Sequence, residues 1–387
     1  MMSDLYLAQL VCPRCKGSLE AVCFAASGDR VQEGILLCHC CRAFYPIIAS
    51  VPVMLVFPTR LHDAFRSRHA SELNEYADFR TPFDQPRHGE LEIQKTFTEE
   101  WETLGGDDLL WTFSHAELKE VHSCSFLKWA WRSRQPIRNV LNVGVGYGIE
   151  SEIVQEVTGA DVFAVDLNLA LLTAAPRLRS HGHIFPVIAS AFDLPFADRS
   201  FDLTYSVGAL HHTHSTRQAL EQLAARTRES GEMFVWLYAV EDILARPGLP
   251  GAARVCFHAL QKAGRPVLSR SPGWLRNASM FCLAACLHPY FLATVKHRRQ
   301  WSFKNTEHNL RDSFTPRYYH FHRFNEVAEW LENLGFEFEL ASASEFRRIT
   351  GQQLDGIGML CRRTPAGAAA NHGPIAEAGA NANCGNS

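Results

Sequence analysis

From Asn139 onward the chain alternates short apolar runs with amphipathic ones. NVLNV (139–143), DVFAVD (161–166), HIFPVIAS (183–190), FDLTYSV (201–207) and GEMFVWLY (231–238) have strand character. Between them IESEIVQEV (149–157), NLALLTAAPRLRS (168–180) and TRQALEQLAARTRES (216–230) repeat apolar residues at helical spacing. Short strands alternating with helices predict crossover units, hence a mostly parallel sheet covered on both faces. After Tyr238 the alternation lapses for about seventy residues, in which VCFHALQKAG (255–264) and MFCLAACLHPYFLATV (280–295) read as apolar helices. Neither reaches the ~18 uninterrupted apolar residues of a membrane span. FNEVAEWLENLGFEFELAS (324–342) adds a helix and a strand, and GIGMLCRR (356–363) a seventh strand. Upstream, KTFTEEWETL sets Phe97, Trp101 and Leu104 on one helical face, and AELKEVHSCSFLKWAWRSR (116–134) predicts another helix. Residues 60–90 are polar and read as a linker or loose helix, and 364–387, rich in Ala, Gly and Asn, as a disordered tail.

A length of 387 residues leaves room for one large α/β domain plus additions. The net charge of −3 gives no overall basic field, which argues against a dedicated nucleic-acid binder. The start, MMSDLYLAQL, lacks a charged n-region and a cleavable apolar core, and with unpaired thiols this points to a reducing cytoplasm.

Cysteines change the picture at the front of the chain. Cys12 and Cys15 form one Cys-x-x-Cys knuckle, and Cys38 and Cys41 form another after 22 intervening residues. Paired knuckles at this separation let four thiolates surround one Zn²⁺ tetrahedrally, with Cys40 as a possible substitute. So short a segment buries little apolar area alone, and the metal would supply much of its stability.

The loop after the first parallel strand carries Gly144, Gly146 and Gly148. It sits at the carboxyl edge of the sheet, where open α/β folds bind ligands. The dinucleotide pattern G-x-G-x-x-G fails at Ile149, and the Lys-Ser/Thr of a phosphate-binding loop is missing. Asp166 ends the next strand, where a carboxylate can accept both hydroxyls of a ribose.

These glycines and Asp166, with ASAFDLPFADRSFDLTYSVGALHH and RTRESGEMFVWLY, resemble the class I S-adenosylmethionine-dependent methyltransferases over residues 139–240. The cysteine module, with its YPI and VPVML ending, resembles the Trm112-like zinc-binding domain. Together they imply a Rossmann-like α/β fold: a mostly parallel seven-stranded sheet with helices on both faces, preceded by a small zinc ribbon. The expected divisions are a module at 1–57, a linker and bridging helix at 58–115, a methyltransferase domain at 116–363 with a helical lid about 241–311, and the tail at 364–387.

The resemblance also implies a site. Asn142, Gly144, Gly146 and Gly148 would line the methionine end of S-adenosylmethionine, and Ser206 would lie near it. Asp166 would take the ribose hydroxyls and Leu167 would pack on the adenine. Ser190, Ala191 and Phe192 would face the adenine edge. The family has carboxylates where Asn142 and Ser190 stand, so Ser190→Asp is expected to tighten cofactor binding. His211 or His212 could serve as general base or could cap the next helix. Tyr318, Tyr319, His320 and His322 could line an acceptor pocket or simply pack a loop. The expected function is methyl transfer to a small molecule, oxygen being the commonest acceptor. The rivals are an RNA base methyltransferase with a zinc module and a non-catalytic cofactor-binding scaffold. Residues 251–295 read as a lid, with peripheral membrane contact left open.

Overall fold

The computed structural model describes residues 6, 9–28, 30–104, 109–110, 112–128, 136–240 and 251–364. The expected tail therefore lies outside the described residues. Four antiparallel strands open the chain: β1 (Glu20–Ser27), β2 (Arg30–Cys38), β3 (Ala43–Ile48) and β4 (Val51–Pro52). A short pair follows, β5 (Leu109–Leu110) and β6 (Phe113–Ser114). The main sheet comprises β7 (Asn139–Val143), β8 (Asp161–Asp166), β9 (Ile184–Ile188), β10 (Phe201–Val207), β11 (Thr227–Leu237), β12 (Phe336–Leu340) and β13 (Ile357–Arg363). Its order is β12-β13-β11-β10-β7-β8-β9, with β13 antiparallel to both neighbours and the β11-to-β9 pairings parallel. The expected α/β fold with a mostly parallel seven-stranded sheet is present.

Parallel strands buried on both faces explain why β7 and β8 read as continuous apolar runs. On one face Phe163, Phe196 and Phe201 meet edge to face at 5.0–5.6 Å. The other face is covered by the helices Ile149–Thr158 and Ala170–Ser180, with Leu171, Ala174 and Leu178 fully buried.

The amino-terminal sheet is separate from the main one but bridged to its edge. Beyond β4, Val53 bridges Ile188 in parallel and the Met54 amide donates to the Ile188 carbonyl at 2.7 Å. The apolar VPVML run thus caps the exposed edge of β9, which would otherwise present unpaired backbone. On the same module, Leu10 bridges Phe196 and the Val11 amide donates to the Pro195 carbonyl at 2.9 Å.

The structure departs from the sequence reading in four places. The helix Thr216–Arg226 stops four residues early, and TRES begins β11. A register shift opposite Phe201 and Leu203 absorbs Ser230, whose φ is 58°, and the Thr227 hydroxyl is satisfied by Thr204 at 2.8 Å. The helix expected at 116–134 runs from His115 to Val121 and widens into a π-turn to Phe126. The stretch read as linker holds the helix Arg60–Arg68, with His62 and Phe65 buried. Two helices, Phe303–Phe314 and Ala343–Thr350, were not foreseen, because polar residues such as Asn305, His308, Arg311 and Asp312 occupy buried positions of the first. Among the described residues no helix is long and apolar enough to cross a membrane.

Candidate functional site

The loop from β7 to the helix Ile149–Thr158 turns on glycines in the left-handed region. A Cβ on Gly144 would stand 2.0 Å from that of Ala209, and one on Gly146 2.2 Å from the Trp101 ring. Conformation and space both require bare backbone there. Asp166, half-buried at the end of β8, clamps the loop: it accepts from the Gly146 amide at 2.7 Å and the Asn168 amide at 2.8 Å. Each oxygen keeps a further lone pair for a ligand hydroxyl.

Beside this loop opens a cavity of about 980 Å³, counting its solvent-open mouth. Its wall includes Gly144, Asp166, Leu167, Ser190, Ala191, Phe192 and His212 of the expected residues. Others stand behind it. Asn142 donates to the Ser151 hydroxyl at 3.1 Å, and Ser206 donates to the Val143 carbonyl at 2.8 Å. Gly146 and Gly148 shape the turn without lining the cavity.

His211 is not brought to the cavity. Its buried ring lies 3.8 Å from that of Tyr238, neither nitrogen has a hydrogen-bond partner among the described residues, and burial holds it neutral. His212 does reach the wall, but both its nitrogens face acceptors. Nδ1 stands 3.0 Å from the Tyr318 carbonyl, and Nε2 stands 3.3 Å from Asp312 Oδ1. With an acceptor near each nitrogen the ring is held by its neighbours rather than left open to the cavity, which does not favour the expected base. Asp312 also accepts from the Tyr238 hydroxyl at 3.1 Å. Burial pushes its carboxyl up, but His212, His308 and Tyr238 together hold it below the ordinary value.

The helix Glu90–Leu104, in which the sequence showed only the apolar face of Phe97, Trp101 and Leu104, forms a wall of the cavity. Gln94 donates to the Leu167 carbonyl at 3.0 Å, and Thr98 accepts from the Leu169 amide at 2.9 Å. Glu90 accepts from the Ser190 hydroxyl at 2.5 Å and from the Arg87 amide at 2.8 Å. Glu100 is fully buried, and neither oxygen accepts a hydrogen bond among the described residues. His308 Nδ1 lies 3.5 Å from its Oε1. Burial, reinforced by Asp312, raises the Glu100 carboxyl well above its ordinary value. The cavity wall thus carries Glu90, Glu100, Glu150, Asp166 and Asp312, and no Lys or Arg among the described residues.

In the amino-terminal module the Sγ atoms of Cys12, Cys15, Cys38 and Cys41 lie within 4.8 Å of one another. A tetrahedron with Zn–S of about 2.3 Å has edges of about 3.8 Å, so the set fits a zinc ion. Each knuckle is followed by a basic residue in the left-handed region, Lys16 at φ 59° and Arg42 at φ 51°. Matching strained backbone at equivalent positions marks two copies of one ligand-bearing turn. Lys16 Nζ donates to the Leu194 carbonyl at 2.8 Å, which ties the cluster to the loop after Ser190.

Residues 141–235 match the family model of the methyltransferase domain. The fold is the Rossmann-like methyltransferase fold. A demethylmenaquinone methyltransferase of Corynebacterium urealyticum is 30% identical over 35% of this chain and 56% of its own length. An O-methyltransferase of Aspergillus sclerotiorum is 28% identical over 32% of this chain and 47% of its own. Among solved structures, phosphoethanolamine N-methyltransferase 2 of Haemonchus contortus, bound to phosphomonomethylethanolamine and S-adenosylhomocysteine, aligns with a TM-score of 0.42. It is 11% identical over 74% of this chain and 62% of that one. The chain spans between a third and just over half of the first curated relatives' length.

Glu150 gives a test of the acidic wall in the protein without ligand. Burial pushes its carboxyl up to about 8, so the folded state keeps a proton that the unfolded chain releases near its ordinary value. Stability is therefore lost as pH rises between those two values, at most about 1.4 kcal/mol per pH unit. Glu150→Gln removes that loss. Thermal midpoints should show the variant gaining on the wild type from about pH 5 to about pH 8 and levelling off above. A constant difference across that window would refute the buried-acid assignment.

Proposed function

We propose that the cavity binds S-adenosylmethionine and that the protein transfers its methyl group to a small molecule, with oxygen the favoured acceptor atom. One observation carries this reading. A glycine turn clamped by an aspartate opens into a cavity with five acidic side chains and no Lys or Arg on its described wall. Such a wall complements a ligand bearing a ribose and two positive charges, the sulfonium and the ammonium. That the curated relatives named above are methyltransferases supports the reading.

Bound there, the cofactor would supply an electrophilic methyl that a nucleophile displaces in line. The residues supply alignment. Asp166 holds the ribose hydroxyls, and Leu167, Ala191 and Phe192 frame the adenine. Two carboxylates missing from the expected positions come instead from the helix Glu90–Leu104. Glu90, acting with Ser190, serves the adenine amino group. Glu100, set between Asp166 and Asp312, takes the ammonium of the methionine moiety. His212 and Asp312, 3.3 Å apart after the end of β10, orient the acceptor rather than remove its proton. This favours an acceptor that ionises readily by itself. A polyanionic RNA substrate fits an acidic wall poorly.

We infer also that Cys12, Cys15, Cys38 and Cys41 hold one Zn²⁺ with no open coordination position, a structural role. Metal analysis should find about one equivalent of zinc. Cys38→Ser, Cys41→Ser should lose it and unfold at a lower temperature. Full zinc content in that variant would remove the assignment.

Calorimetric titration tests the cofactor site without relying on turnover. Asp166→Ala should weaken both S-adenosylhomocysteine and 5′-methylthioadenosine, which share the nucleoside. Glu100→Gln should weaken S-adenosylhomocysteine about thirtyfold, or ~2 kcal/mol, and leave 5′-methylthioadenosine unchanged, because only the former carries the ammonium. Ser190→Asp should bind no tighter than wild type, since its carboxylate would meet Glu90. No binding of either ligand by the wild type would defeat the methyltransferase reading. Equal loss of both ligands in Glu100→Gln would defeat only the role given to Glu100.

A further inference from the structure

The helices Gly251–Leu268 and Gly273–Thr294 lie over the helix Phe303–Phe314. The inward side of Gly273–Thr294 is ordinary: Arg276, Met280 and Ala284 are buried. Its outward side is not. Trp274 is 72% exposed and Phe281 59%, and Ala278, Ala285, Pro289 and Tyr290 continue the exposed stripe. From residue 277 to residue 295 there is no Asp, Glu, Lys or Arg. A helix that faces water carries a polar outer stripe, and a helix apolar all round is covered. Six of the ten exposed large apolar side chains among the described residues stand on this pair of helices, so the apolar area is a patch rather than scatter.

Charge says what covers it. Residues 251–306 contain nine Lys and Arg and no Asp or Glu. Lys262, Arg270, Arg298 and Arg299 are exposed, and none of them forms an ion pair among the described residues. Arg270 precedes Trp274 at one end of the long helix, and Arg298 and Arg299 follow Tyr290 at the other. Aromatic residues near both ends of an apolar stripe, with cations beyond them, match the boundary between acyl chains and headgroups. A second copy of the chain would set cations against cations. The helix does not qualify as a membrane span, so it would lie in the plane of the surface.

We propose that the outer face of the helices Gly251–Leu268 and Gly273–Thr294 docks on an anionic lipid bilayer. The apolar stripe enters the headgroup boundary while the flanking cations meet the lipid phosphates. This does not depend on which cofactor the cavity holds.

Flotation of the full-length protein with vesicles tests it. The protein should float with mixed phosphatidylglycerol and phosphatidylcholine vesicles and much less with pure phosphatidylcholine. Added salt should weaken the binding. Each cation near an anionic surface is worth about fivefold in partitioning, so Arg270→Glu, Arg298→Glu, Arg299→Glu should lose about a hundredfold or more. Trp274→Ser, Phe281→Ser should lose at least about tenfold. Unchanged circular dichroism would show that both variants fold. The exposed Cys282 and Cys286 give a second measurement: their alkylation, mapped by mass spectrometry, should slow when anionic vesicles are present. Equal flotation with both vesicle types, vesicle binding unaffected by either variant, or alkylation of these cysteines unchanged by vesicles would overturn the proposal. So would a wild-type dimer that these substitutions dissociate without any vesicle binding.

Discussion

Two adjacent acidic residues on the helix Glu90–Leu104, the half-buried Glu99 and the buried Glu100, are held under opposite terms, and the arrangement around the cavity depends on the difference. Glu99 is matched by the fully buried Arg276, whose Nε and Nη2 donate to its two oxygens at 2.6 and 2.5 Å. The pair is bidentate, and the Leu268 and Ser271 carbonyls satisfy the remaining guanidinium nitrogen. Removing Glu99 would strand the buried guanidinium away from water, a cost of about 3–5 kcal/mol. This fixes the outer helices to the helix that walls the cavity. Glu100, about 100° further round the same helix, has no such partner among the described residues, and neither of its oxygens accepts a hydrogen bond there. The same element anchors the outer layer and offers the cavity its most costly unsatisfied group.

The rest of that helix is held at both ends. Gln94 and Thr98 occupy backbone groups after β8, Trp101 covers Gly146, and Glu92 pairs with Arg317 at 2.5 Å. A Cβ on Gly146 would strike the Trp101 ring, so the bare turn and the helix above it require one another. The cysteine module acts from the opposite side. Its last strand caps β9, and Lys16 reaches the loop that follows Ser190. The stretch Ser190–Phe192 is thereby gripped between a cysteine-bearing turn and Glu90.

What the sequence revealed followed from periodicity and spacing. Seven strands, the glycine turn, Asp166 and the paired knuckles each leave a local signature, and all stand where that signature placed them. The residues that were missed have none. Glu90, Glu100 and Asp312 lie 76, 66 and 146 residues from Asp166 along the chain, in segments whose polar composition resembles a solvated surface. Only packing turns them inward. The same limit explains Ser190: as a single position it reads as a lost carboxylate, whereas in the fold its hydroxyl already donates to one. It explains His212 as well, because two adjacent histidines at a sheet edge look like free bases until a carbonyl and a carboxylate are seen facing both nitrogens of one ring.

Net charge was the most misleading quantity, and the reason is segregation. The whole chain has 38 Lys and Arg against 41 Asp and Glu, a balance that signals no preferred partner. Nine of those cations fall in residues 251–306, where there is no acid, which leaves 29 against 41 for the remainder. A cation-bearing layer and a cavity walled by carboxylates are therefore built from complementary parts of one near-neutral composition. They meet at the helix Phe303–Phe314. One side of it supports the outer helices, and the other sends Asp312 into the cavity and sets His308 against Glu100. An attraction for anionic surfaces and an attraction for a cationic ligand would cancel if the groups were mixed. Here they stand on different elements, joined where the buried Arg276 meets Glu99 and where the buried Arg265 feels the charge of Asp312, so both can persist.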